Sequence, residues 1–357
     1  MNSNVKSAVV AHPSSASGAY RVAIVGAASL KGKEVAEVLE QRNFPSSEIK
    51  LLDDDESLGQ LEALKDEVTF IQSIRSEQFE QVDFTFFASD PECTRKNWQQ
   101  VLRAGSAILD LSYALDEEPR AAVRSPWIER QFAQPILPEL QPAPVVVAHP
   151  IAVVLALLLL RSNSAAVVQH AAATVFQPAS EQGQKGMDEL HEQTVNLLSF
   201  QQLPKNVFDV QIAFNLVSRY GDNSQGTLYS VRDRVKKHFE KITHESARFP
   251  SIQILQAPIF HGHAVSLNLQ FDREIDLAQV SKALSGEHVV VIGTSEEAPS
   301  NVNAAGQNDV LVSVTPDSSV ANNFWIWAAW DNLRVAAFTA VEAAESIAAS
   351  RPRGKIQ

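Results

Sequence analysis

The chain has 357 residues, 42 acidic against 30 basic side chains, and a single cysteine. The length suggests two domains, and an apolar fraction of 45% with 20% charged residues is that of a packed globular protein. One cysteine excludes an internal disulfide and any zinc site built on two thiolates, and a net charge of -12 argues against nonspecific nucleic-acid binding.

Residues 1–20 carry five serines and too short an apolar stretch for a signal peptide, and are read as a disordered leader. The most apolar segment, Val145 to Leu160, is interrupted by His149 and Pro150. Ten uninterrupted residues are too few to span a membrane, so a buried core helix is expected, in a soluble cytoplasmic protein.

Arg21 to Gly26 reads as a strand rich in β-branched residues, followed by a turn and a helix over Gly32 to Gln41. Further strands are expected at 49–52, 70–71, 84–88 and 107–111, with a helix over 97–104 ending at Gly105. Strands alternating with helices predict a parallel sheet covered on both faces. From about residue 145 the pattern changes. Strands are expected at 167–176, 252–260, 264–271, 310–314 and 324–329, and helices at 185–198, 230–242 and 276–284. In the 185–198 helix, Met187, Leu190, Thr194 and Leu197-Leu198 form the expected apolar stripe. The 230–242 helix should carry its basic residues on an exposed face. An alanine-rich helix over 332–349 closes the chain and should pack back on the first domain. The fold class is α/β, with an N-terminal Rossmann-like domain over 21–148 joined by 330–357. An α+β dimerisation domain takes 149–329.

Gly26-Ala27-Ala28-Ser29-Leu30-Lys31-Gly32 lies where a dinucleotide fingerprint belongs, between a strand and a helix. Gly26 serves the tight turn and Gly32 close helix packing, but Ser29 stands where backbone would approach a pyrophosphate. Asp53, 21 residues beyond Gly32, is placed for ribose hydroxyls. It opens an acidic run, Asp53 to Glu56. A 2′-phosphate about 4 Å from one such carboxylate is repelled by roughly 4 kcal/mol at an effective dielectric of 20. NAD is therefore favoured over NADP. A solvated acidic loop that binds neither is the bland alternative. His261 and His263, two apart on an extended segment, should share a face, but such a pair is weak evidence for a metal, and no metal site is expected. Cys93 reads as a small, half-buried side chain in the loop after the 84–88 strand.

Five segments, in order, resemble the aspartate-semialdehyde dehydrogenase family. They are Gln41-Arg42-Asn43-Phe44-Pro45, Gly186-Met187-Asp188-Glu189-Leu190, Ala213-Phe214-Asn215, Ala257-Pro258 through Gly262-His263, and Asp331-Asn332-Leu333-Arg334. The resemblance spans about residues 20–350. It implies a Rossmann domain, a catalytic and dimerisation domain, a homodimer, and reduction of aspartyl phosphate with NADPH through a cysteine thiolate. It also implies a cofactor contact at Asn332.

Carried over position by position, most of that equipment is missing. Ala152 stands at the nucleophile, Asp116 replaces the phosphate-binding arginine, and Gln256 replaces the second arginine. Ser180-Glu181-Gln182-Gly183 replaces a glycine-rich turn. Glu56 and Gln60 replace the basic pair that reads NADP, and only the base position, His263, is kept. The segment 256–264 resembles a cysteine-less, Usg-like branch of the family. The sequence thus predicts a catalytically inactive, structural or regulatory homodimer, with a paralogous dehydrogenase as another conceivable partner. The alternatives are an active dehydrogenase of amino-acid biosynthesis and a non-catalytic NAD sensor.

Overall fold

The computed structural model describes residues 20–54, 59, 61–64, 67–132 and 143–350. The proposed leader, but for Tyr20, and the substitutions at Glu56 and Gln60 lie outside the described residues. The first half alternates strands and helices: β1 (Tyr20–Val25), α1 (Leu30–Gln41), β2 (Ser46–Asp53), the antiparallel pair β3 (Leu61–Leu64) and β4 (Glu67–Phe70), and β5 (Gln72–Ser73). It continues through β6 (Phe84–Phe87), α2 (Pro91–Arg103), β7 (Ala107–Asp110), β8 (Ala122–Arg124), α3 (Pro126–Glu129) and β9 (Val145–Val147). Seven of these strands form one parallel sheet in the order β5-β2-β1-β6-β7-β9-β8. The connection from β1 leads to β2 on one side, and β6 lies on the other, so a crevice opens between the carboxyl ends of β1 and β6. This is where an open α/β sheet receives its ligand.

The second half begins with α4 (Pro150–Ala165) and β10 (Val168–Gln177), followed by α5 (Gly183–Leu198), α6 (Leu228–Thr243), β11 (Ser251–Gln256) and β12 (His263–Phe271). Then come α7 (Leu277–Leu284), β13 (Val289–Val291), α8 (Asn301–Ala304), β14 (Val310–Pro316), β15 (Asn323–Trp330) and α9 (Asn332–Ser350). Six strands form a mixed sheet, β11-β10-β12-β15-β14-β13. The apolar run at 150–159 becomes the central helix α4, whose first ten residues are all buried. A helix apolar all round must be enclosed, and α4 is packed among α3, α6, α7 and α9. Among the described residues no helix is long and apolar enough to cross a membrane.

As expected, α9 returns to the first domain and lies along α1. Arg334 donates to Glu34 at 3.2 Å, to Glu37 at 2.6 Å and to Gln41. Arg42 in turn pairs with Glu342 at 3.1 Å and Glu345 at 2.6 Å.

Several local expectations need correction. Helix α2 starts at Pro91 rather than 97, because the Asp90 carboxylate accepts the N–H groups of Glu92 and Cys93 and proline is tolerated at the first position. Cys93 is therefore in a helical turn, not a loop. Strand β11 ends at Gln256, and residues 257–262 form an irregular turn. Gly262, at φ +82°, separates His261 from β12, so the two histidines do not lie on one extended segment. Helix α6 does not turn all its basic residues to solvent: Arg234, Lys237 and His238 face Asp116 and Glu117.

The expected stripe on α5 is also only partly right. Leu190 is buried, but Leu198 is exposed and the buried face includes Glu189 and Gln193. Glu189 accepts the backbone N–H groups of Asn206, Val207 and Phe208, while Gln193 Oε1 accepts those of Ile212 and Ala213. Two polar side chains thus take the place of a β-ladder for the irregular segment beside them. Replacing Glu189 by Ala strands three amides, and should lower stability by about 2–4 kcal/mol in urea unfolding, with Glu189→Gln intermediate.

Candidate active site

The glycine turn closes on β6. A β-carbon at Gly26, whose φ is +84°, would strike the Ser89 backbone, and one at Gly32 would strike the Gly26 carbonyl. Ser29 caps α1: its Oγ accepts the Gly32 N–H and donates to Ala88 O, both at 2.9 Å. The hydroxymethyl group at the position a second glycine would leave open is thereby tied across the crevice. Asp53 accepts the Ala28 N–H at 2.7 Å. Burial raises its pKa, and the amides of Ala28 and Asp54 only partly offset this. Beside it lies a recess of about 360 Å³ with Asp54, Asp90, Glu92, Cys93 and Lys96 in its wall. Burial pushes the Cys93 thiol up, which keeps it protonated and unreactive.

At the seam between the domains, the chain assembles a cluster of buried charged and polar groups. Lys31, from the glycine turn, donates to Leu111 O at 2.9 Å and lies 4.7 Å over the Tyr113 ring. Among the described residues its ammonium has no carboxylate within 4 Å. Burial lowers its pKa, opposed by the nearby Glu181 charge. Tyr113, at φ +64°, is held between Lys31 and Arg234, whose guanidinium lies 4.8 Å from the ring, and stacks on His149 at 5.4 Å.

His149 caps α4: its Nδ1 accepts the Ile151 N–H at 3.3 Å, so its Nε2–H faces Glu181 Oε1 at 3.2 Å. The Glu181 carboxylate also lies 3.9 Å from His263 Nε2 and 3.5 Å from Asn332 Nδ2. Burial alone would raise its pKa, but His149, which also donates a hydrogen bond to it, and the Lys31 charge outweigh burial and hold it well below the ordinary carboxylate range. His263 is fully buried, stacked on Trp330 at 5.3 Å, and among the described residues neither ring nitrogen has a hydrogen-bond partner. Burial drives its pKa down to about 3, against the attraction of Glu181. It is a neutral imidazole.

A second carboxylate stands beside the first. Asp116 Oδ2 meets Arg234 Nε at 3.0 Å and its Oδ1 meets His238 Nε2 at 2.9 Å. His238 Nδ1 accepts the His149 N–H at 2.9 Å, so the ring is neutral and donates to Asp116 through Nε2. Burial opposes ionisation of Asp116, but His238 and Arg234 outweigh it and its pKa is lowered. Asp116 thus carries its own guanidinium partner at the position where an arginine was expected.

The remaining sequence candidates are placed as follows. Ala152 lies in the first turns of α4 and, like Val153 and Ala156, has no exposed surface, so these residues line no open pocket. Gln256 is buried and fully engaged: its Oε1 accepts from Tyr220 at 2.7 Å and its Nε2 donates to the carbonyls of Gln177 and Ala257. Asn332 Oδ1 accepts the Gly262 N–H at 3.1 Å. Among the described residues, no three His, Cys, Asp or Glu side chains are grouped to hold a metal. The structure brings His263 and Asn332 to Glu181, and leaves Ser29 and Asp53 at the crevice. Lys31, Tyr113, Arg234 and His238 were not singled out from the sequence. Only Lys31 had a local signal, as a cation inside a glycine turn.

Two family models match this chain: "Semialdehyde dehydrogenase, NAD binding domain" over residues 21–148 and "Semialdehyde dehydrogenase, dimerisation domain" over 160–335. The chain belongs to the semialdehyde dehydrogenase family. It is 28% identical over 92% of its length to an aspartate-semialdehyde dehydrogenase of Rickettsia bellii, covering 97% of that protein. It is 31% identical over 92% of its length to a USG-1 protein homolog of Azotobacter vinelandii, covering 98% of it, in keeping with the Usg-like branch. A solved structure of a probable aspartate-semialdehyde dehydrogenase from Pseudomonas aeruginosa superposes with a TM-score of 0.80 at 27% identity, over 92% of this chain and 98% of that one.

The buried charges dictate a pH response. His263 has a folded pKa of about 3 against an ordinary 6.5, so the unfolded chain binds the extra proton. Its contribution to stability is complete above pH 6.5 and is lost as pH falls toward 3. The lowered pKa of Glu181 adds a further loss below its ordinary 4.5. Urea midpoints measured from pH 7 to pH 4 should fall less steeply in His263→Leu than in the unsubstituted protein.

Proposed function

We propose that this chain is a homodimeric semialdehyde dehydrogenase-fold protein that does not perform the thiolate chemistry of its relatives and that retains an NAD-type nucleotide crevice. The observation that carries this reading is internal occupation of the cleft. The Glu181 carboxylate lies against His149, His263 and Asn332, and the Asp116 carboxylate against Arg234 and His238. An anionic substrate would enter a seam in which His149, Arg234 and His238 are already engaged by the chain's own carboxylates. The nucleophile position supports the same reading, since the Ala152 methyl can form no bond to a carbonyl carbon and loss of a nucleophile can cost roughly a millionfold in turnover.

In this reading the domains are 21–148 with 330–357, and 149–329, a division supported by the family matches over 21–148 and 160–335. For the dimer, support comes from the dimerisation-domain match and from the mixed sheet. One face of that sheet carries a shallow recess of about 340 Å³ with Thr174, Ser266, Asn268 and Trp325 in its wall. Trp325 is 46% exposed there. Trp325→Arg should shift the protein toward monomer in sedimentation-velocity experiments.

For the nucleotide, Asp53 and its acidic neighbours favour NAD over NADP by charge. NAD should raise the melting temperature and NADP should not. Asp53→Asn, which keeps an acceptor for Ala28, should narrow the difference. Equal shifts with both nucleotides in the unsubstituted protein would refute the preference.

The activity reading is tested by following nicotinamide absorbance with aspartate semialdehyde, phosphate and either nucleotide. No saturable turnover is expected, and Ala152→Cys alone should not restore it because Glu181 and Asp116 remain in place. Saturable turnover by the unsubstituted protein, lost in His263→Ala, would sink the proposal in favour of a working dehydrogenase.

A further inference from the structure

A second constellation lies beside the Glu181 cleft and is not used by the reading above. Ser180 precedes Glu181 in the short turn between β10 and α5. Its Oγ is 3.3 Å from His261 Nδ1, and His261 Nε2 is 2.8 Å from Asp331 Oδ2. His261 donates its Nε2–H to Asp331 Oδ2, so the Nδ1 lone pair faces the serine hydroxyl. The two ring nitrogens exchange the places they hold in the serine-protease triad, but the chain of roles is the same: hydroxyl, imidazole, carboxylate.

Each member is held from outside. Asp331 Oδ1 accepts the N–H groups of Leu333 and Arg334 at the start of α9, both at 3.0 Å, and Oδ2 accepts the Gly306 N–H at 2.8 Å. The carboxylate therefore cannot turn away from the ring. Gly262 at φ +82° sets the His261 backbone, and its N–H fixes the Asn332 amide by donating to Oδ1. Ser180 Oγ donates to Asn332 Oδ1 at 3.3 Å, the same distance at which it faces His261 Nδ1, while Asn332 Nδ2 has one long contact, 3.5 Å to Glu181.

We propose that Ser180, His261 and Asp331 form an acyl-transfer site that hydrolyses short-chain carboxylic esters. Ser180 Oγ attacks the ester carbonyl, forming a C–O bond as the π pair moves onto oxygen. The hydroxyl proton passes to His261 Nδ1, and Asp331 stabilises the imidazolium. Collapse expels the alkoxide, which takes that proton and leaves as the alcohol. Water then repeats the sequence, adding to the acyl-serine, and the acid departs with Ser180 restored. No oxidant, metal or cofactor enters the balance. Ser180 is only 2% exposed, so the acyl group must be small, of acetyl size.

The site is tested with the full-length protein in two assays. The first is p-nitrophenyl acetate hydrolysis, and the second is labelling by a fluorophosphonate with peptide mapping. We expect saturable hydrolysis with an initial burst and an adduct on Ser180. Ser180→Ala should lower the buffer-corrected rate at least 100-fold, and His261→Asn should abolish labelling while Ser180 is still present. Ser180→Cys, nearly isosteric, should exchange fluorophosphonate labelling for iodoacetamide labelling at the same position, which a merely structural hydrogen bond would not produce. Folding of each variant is checked by its circular dichroism melting curve. Absence of a Ser180 adduct in the folded unsubstituted protein, or an undiminished rate in Ser180→Ala, would overturn the assignment. It would leave the nucleotide and dimer readings untouched.

Discussion

A carboxylate removed from water must be met by charge and hydrogen bonds, or it will not stay ionised. Glu181 imposes that requirement on the seam between the two domains. Its partners come from both sides: His149 from the start of α4, Lys31 from the glycine turn, and Asn332 from the last helix. The close approach of the domains and the return of α9 are therefore coupled to one buried charge. Asp116 repeats the arrangement with Arg234 and His238. His149 links the two, since its backbone N–H goes to His238 and its ring to Glu181.

That linkage gives the substitutions at this site a common physical sense. An enzyme that binds anionic substrates keeps cationic side chains unpaired until the substrate arrives. Here the anions are supplied by the chain itself, through Glu181 and Asp116. The result is a pre-satisfied cleft around a neutral, unpartnered His263. Internal pairing also removes much of the desolvation penalty that would otherwise destabilise the seam. The same turn that places Glu181 places Ser180 on the opposite neighbour, His261, so two adjacent residues serve two different clusters.

Much of the architecture was readable from the chain. The βαβ alternation, the uninterrupted apolar run at 151–160, and the alanine-rich last helix all reflect local periodicity, which needs no knowledge of partners. The start of α2 was missed because the cap is made by Asp90, ahead of a proline that reads as a breaker. The buried face of α5 was misread because Glu189 and Gln193 look like surface residues. Only the irregular segment that folds against them, with its unpaired amides, turns them inward. The strand expected through Phe260 stops at Gln256: the carbonyls of Ile259 and Phe260 still accept the Ala179 and Ser180 N–H groups, but His261 and Gly262 are committed to Asp331 and Asn332.

The sequence by itself determined which groups are absent and which fold is present. Ala152 lacks a nucleophile whatever surrounds it, and the hydrophobic pattern specifies a parallel sheet, a mixed sheet and a returning helix. Only the tertiary structure decided what the remaining groups do. Lys31 and Glu181 are 150 residues apart in the chain, Asp116 and Arg234 are 118 apart, and Ser180 and Asp331 are 151 apart. No local pattern relates such residues. Their pKa values and tautomers depend on distances of a few ångströms, which exist only once the domains have closed.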